Sequence, residues 1–100
     1  MIKVTVKKNN DLIEEISVKG HANFDVYGSD IVCSSVSSIV ITSVNAMLKL
    51  DDTCLDYIEQ DGFINIKLLK HDLVTNTLVN NMIELLKELE KKYPKNVKLN

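Results

Sequence analysis

The sequence predicts an α+β fold, a mostly antiparallel sheet packed with two helices in the order ββαββαβ, over residues 1–100 as one domain. Three observations carry this. Apolar residues alternate with polar ones over two stretches near the start and two in the middle. The intervening segments change to helical spacing. Turn residues fall at the joins.

Ile2, Val4 and Val6 alternate with Lys3, Thr5 and Lys7, the pattern of a half-buried strand. "KNND" turns the chain, and Ile16, Val18, Gly20 and Ala22 then share one face of a second strand, making a hairpin. "NFDVYGS" at 23–29 is a loop. From Asp30, a suitable N-cap, Val36, Ile39, Val40, Ser43, Val44 and Met47 recur at helical spacing. The Val, Ile, Thr and Ser content opposes a helix here on intrinsic propensity. Burial between two layers outweighs it, because apolar residues cover most of the circumference. "TCLDYIEQDGFINIKLL" reads as a second hairpin turning at Asp61-Gly62. Val74, Leu78, Met82, Leu85, Leu89 and Tyr93 then mark a helix that starts after Asp72 and stops before Pro94. "NVKL" supplies a short last strand.

Composition narrows the function. Apolar residues make up 45% and charged residues 26% of the chain, all twelve basic residues are lysine, and the net charge is −2. No overall basic field draws nucleic acid, and the four lysines from Lys91 to Lys98 read as a solvated terminus. The start lacks the apolar run of a secretion signal. "IVCSSVSSIVITSVNAML" is the stretch nearest to a membrane span, but five serines and an Asn interrupt it. The expectation is a cytoplasmic protein that contacts neither membrane nor nucleic acid. Its two cysteines are then thiols and not a disulfide. No CxxC or HxxxH spacing offers a metal site, and no cofactor is implied.

"GHANFDVYGSDIVCSS" places His21, Asp30 and Cys33 within thirteen positions. With Asp30 as N-cap, Cys33 is the third helical residue, beside free N–H groups and the positive helix end. Both favour a thiolate, the reactive form, and the same N–H groups can receive an oxyanion. His21 is the natural base. Strict alternation turns it away from Ile16 and Val18, so it meets Cys33 only where the strand ends or bulges near Gly20. Asp30 can cap the helix or orient an imidazole. Ser37 lies one turn beyond Cys33 on the same face and either hydrogen-bonds in the site or allows close packing. The bland alternatives are a small core cysteine and a surface histidine. Phe24 and Tyr27 either line a groove for an apolar peptide or anchor their loop, and Gly28 is a candidate hinge. Cys54 reads as a structural thiol and His71 as a surface residue.

Gly20, His21, Ala22, Asp30, Val32, Cys33, Val36 and Ser37 together match a Gly-His-Ala, loop, Asp-x-Val-Cys, Val-Ser pattern. In this, in element order and in the closing "YPKNVKL", the chain resembles the ribosomal-processing cysteine proteases of bacteria. Ser34 and Ser35 stand where that family often has alanine, still small residues. The resemblance implies a homodimer that removes the N-terminal extension of large-subunit ribosomal protein twenty-seven. It implies Cys33 as nucleophile and His21 as general base. The resemblance further implies that Gly20, Asp30 and Ser37 belong to the site in unassigned roles and that the loop from Asn23 to Ser29 is the expected cover over the cleft. Two rivals remain: a small dimeric assembly factor that cuts nothing, and a redox protein with Cys54 as resolving thiol.

Overall fold

The computed structural model describes residues 1–20 and 31–100 in full, together with the helical backbone of residues 29 and 30. The elements are β1 (Ile2–Asn9), β2 (Leu12–Lys19), α1 (Ser29–Leu50), β3 (Leu55–Gln60), β4 (Phe63–Leu68), α2 (Leu73–Lys92) and β5 (Val97–Leu99). This is the order expected from the sequence. The five strands form one sheet in the order β3-β4-β2-β1-β5. Every neighbouring pair is antiparallel except β1 and β5.

Local chemistry accounts for the joins. Asn10 and Asp11 both hold positive φ, 52° and 67°. These are the values a two-residue type I′ turn needs, and Asn and Asp tolerate them better than most side chains. β3 and β4 meet at Asp61-Gly62, with Gly62 at φ 69°. Asp72 caps α2 by accepting a hydrogen bond from the Thr75 N–H at 2.8 Å. The last backbone bond of the helix runs from the Tyr93 N–H to the Leu89 carbonyl, just before Pro94.

All the buried strand side chains lie on one face of the sheet. Ile2 and Val4, Ile16 and Val18, Leu55, Ile64, Ile66, Leu68 and Val97 share the core. The β1–β2 register slips by one residue between Lys7 and Lys8, so that Lys8 pairs with Ile13. That bulge brings Ile13 round to the side of Ile16, where it is buried as well. The opposite face is mostly polar. Ser17 Oγ donates to Asn65 Oδ1 at 2.8 Å, Asn65 Nδ2 donates to Glu15 at 3.2 Å, and Lys19 lies over the Phe63 ring. Both helices therefore cover the same side, making two layers.

α1 buries Val32, Val36, Val40, Val44 and Met47. The segment Ile31–Leu50 is long and apolar enough to cross a membrane, and here its most apolar stripe fills the core. Ile31 and Ile41 remain exposed. α2 departs from expectation. Its buried residues are Thr75, Val79, Met82, Ile83 and Leu86, while Val74 and Leu85 face solvent. Leu78, Leu89 and Tyr93 pack at the margin of the core.

Candidate active site

β2 ends at Lys19, and Gly20 leaves the strand with φ 100°. A side chain would be strained in that conformation, and a Cβ there would run into the carbonyl oxygen of Met1. The Gly20 N–H donates to the Gly62 carbonyl at 2.9 Å. Gly20 is thus fastened between the start of β1 and the tip of the β3–β4 hairpin. The strand stops where the sequence reading needed it to stop. His21 itself lies outside the described residues, as do Phe24, Tyr27 and Gly28.

Next to Gly20 a cleft of about 500 Å³ opens between the start of α1 and the sheet. Cys33 and Ser37, one turn apart on α1, line it together with Gly20. Ile2, Val18, Val36 and Ile64 give it apolar walls, and Glu59, Gln60, Asp61 and Phe63, around the β3–β4 turn, line it as well. Of the sequence-expected site residues, the structure therefore brings Gly20, Cys33 and Ser37 to one cleft. Both cysteines are thiols outside any disulfide. Cys33 is partly buried, whereas Cys54 is fully buried away from the cleft. Burial, and then the negative charge of Asp51, push the Cys54 thiol up from its ordinary value.

One expectation needs correction. α1 begins at Ser29, so Asp30 is its second residue and not its N-cap, and Cys33 is its fifth residue and not its third. An acidic residue is favoured by the helix dipole in the first turn as well as at the cap, so Asp30 by itself does not fix the boundary in the sequence. The unpaired N–H groups belong to the turn before Cys33. Side chains on a helix lean toward its N-terminus, which carries a thiol at Cys33 back over that turn.

The β3–β4 turn residues that line the cleft were missed. The sequence marked Asp61-Gly62 as a turn but gave no sign that this turn borders Cys33. Only the β2–β4 pairing, with Lys19 opposite Phe63, puts the two together. His71 also differs from expectation. It is partly buried, and its Nε2 lies 3.3 Å from Glu14, the residue displaced by the β2 bulge.

A thiol in a cleft near a helix start is an arrangement that thiol hydrolases use, and comparison with known proteins supplies the class and the family. The family model described as Cysteine protease Prp matches residues 1–98, and the chain belongs to that family. The ribosomal processing cysteine protease Prp of Staphylococcus aureus is 28% identical over 104 residues, covering 100% of this chain and 98% of the relative. Its Bacillus subtilis counterpart is 29% identical, covering 99% and 96%. A crystal structure of the S. aureus protease with a covalently linked product peptide superposes with a TM-score of 0.92. It is 29% identical, covering 100% of this chain and 98% of that one. The chain is accordingly a cysteine protease, and the non-cutting assembly factor is set aside. The redox reading finds no support either, since Cys54 is sealed in the core.

Proposed function

We propose that this protease uses Cys33 as nucleophile and His21 as general base to remove the N-terminal extension of large-subunit ribosomal protein twenty-seven. The observation that carries the reading is that Cys33 shares a cleft with Gly20, the residue that precedes His21 in the chain. The relatives' role in ribosomal processing, and a relative's structure with a substrate peptide, support the substrate class.

His21 takes the thiol proton, and the Cys33 sulfur attacks the scissile carbonyl. N–H groups of the first turn of α1 stabilise the resulting oxyanion. Collapse of the tetrahedral intermediate breaks the C–N bond, and His21-H⁺ gives its proton to the leaving amine. Water, deprotonated by His21, then hydrolyses the thioester and frees Cys33. Asp30 orients the imidazole or favours the helix start, and Ser37 lines the same cleft.

The reading extends to a cytoplasmic homodimer. After the core is filled, Ile31 and Ile41 still lie exposed on α1, at 59% and 39%, and closed two-fold dimers are the commonest oligomers. Sedimentation equilibrium decides this, since a single species near 11.3 kDa would rule out the dimer. The activity is tested by incubating the chain with the extended ribosomal protein and measuring intact masses. The expected result is loss of a short N-terminal peptide with wild type and none with a folded Cys33→Ser variant. An unchanged substrate mass with the wild type would overturn the proposal.

A further inference from the structure

The two edges of the sheet are unlike. β5 is three residues long, whereas β3 offers six residues in regular register with no bulge, no Pro and no Lys. Those are among the devices that ordinarily blunt an open edge.

The hydrogen-bond phase of β3 follows from two observations. Gln60 and Phe63 flank the two-residue Asp61-Gly62 turn, which makes them a hydrogen-bonded pair. At the other end the Leu69 N–H donates to the Cys54 carbonyl at 2.8 Å, fixing the same phase. Asp56, Ile58 and Gln60 therefore turn their backbone groups toward β4. Leu55, Tyr57 and Glu59 turn theirs outward, and among the described residues no backbone group pairs with them.

This edge is continuous with the cleft. Glu59 presents its backbone to the open side and lines the same cleft as Cys33, and Gln60 beside it lines that cleft too. On the other face of the strand Ile58 is exposed at 52%, an apolar contact beside the edge.

We infer that the peptide substrate binds by adding a strand to β3, exchanging backbone hydrogen bonds with Tyr57 and Glu59, so that its scissile bond is carried into the cleft. The occupant is an extended segment. Its main chain supplies much of the affinity, and its alternate side chains meet either the cleft side or Ile58. The inference rests on the peptidase reading above and adds how the substrate is held.

The test uses the full chain and a synthetic peptide of the N-terminal extension of ribosomal protein twenty-seven. In the Cys33→Ser protein, residue-resolved amide exchange at Tyr57 and Glu59 should slow at least tenfold when the peptide saturates (on the order of the protection one sheet hydrogen bond provides). Ile58 and Gln60, already bonded to β4, should change little. With the wild type, a single backbone N-methyl group moved along the peptide should lower kcat/KM at every second position, by roughly tenfold or more. Cleavage of the unmodified peptide with a flat N-methyl profile and unaltered Tyr57 and Glu59 amides would overturn the edge inference and leave the peptidase reading standing. An uncleaved peptide that nonetheless protects both amides would do the reverse. Protection of both amides without peptide, rising with protein concentration, would show that a second copy covers the edge and would also overturn the inference.

Discussion

Cys33 and Cys54 show what position does to a single residue type. Cys54 is fully buried, and burial with the nearby Asp51 charge keeps its proton on. Cys33 lines the cleft. Native protein treated with iodoacetamide at neutral pH should therefore be modified at Cys33 at least about tenfold faster than at Cys54. Equal labelling, read by peptide mass mapping, would contradict the assignment. Gly20 gives a second expectation at this scale. Gly20→Ala forces a side chain onto a positive φ and against the Met1 carbonyl. It should lower stability by about 1–3 kcal/mol and depress cleavage further than unfolding alone explains, because the adjoining cleft wall has to shift. Denaturation midpoints measured beside turnover at low temperature separate the two effects.

At the scale of elements, α2 is the instructive case. The sequence shows a step of four, four, three, four and four through Val74, Leu78, Met82, Leu85, Leu89 and Tyr93, yet the core takes Val79, Met82, Ile83 and Leu86. Both sets satisfy helical spacing and share Met82. Which one turns inward depends on α1 and the sheet, and those partners lie outside the window that periodicity reads. Leu86→Ala should cost about 2–5 kcal/mol, and Leu85→Ala, at a side chain 38% exposed, should stay within about 1 kcal/mol. Urea midpoints would reveal the opposite ranking if the sequence stripe were the true core face. The strands were easier to read, because alternation and turn chemistry act over a few residues. Asn10-Asp11 and Asp61-Gly62 mark their hairpins unaided. The cleft was half legible. Cys33, Gly20 and Ser37 stood out by spacing and by resemblance, whereas Glu59, Gln60 and Phe63 arrive there only through strand pairing.

Across the whole molecule, the connections at the far end of α1 are held by charge. Asp51 follows α1, accepts from Lys70 Nζ at 2.7 Å and receives both the backbone N–H and the hydroxyl of Thr53. Lys70 first, and Thr53 next, hold its carboxyl down at about 2 from the ordinary 3.8. A depressed carboxyl stabilises the fold above its unfolded value and loses that contribution as pH falls through the folded one. Thermal stability should therefore decline between about pH 4 and pH 2, and Asp51→Asn should flatten that part of the profile. A slope unchanged by the substitution would place the acid sensitivity elsewhere, with Asp72 and Glu15 next in line since hydrogen bonds lower both.

The pairing of β1 with β5 bears on how the protein reaches its working state. Ile2 stands opposite Val97 in the sheet and also forms part of the cleft wall. That ladder joins segments separated by nearly the whole sequence, and closing so long a loop is entropically the slowest kind of contact to form. Both hairpins are local and can assemble early. A folding chain can thus complete most of its sheet and both helices while the wall beside Cys33 is still loose. If that ladder closes last, cleavage activity should return on refolding no sooner than protection of the β1–β5 amides, which a refolding assay read beside pulsed amide exchange would check.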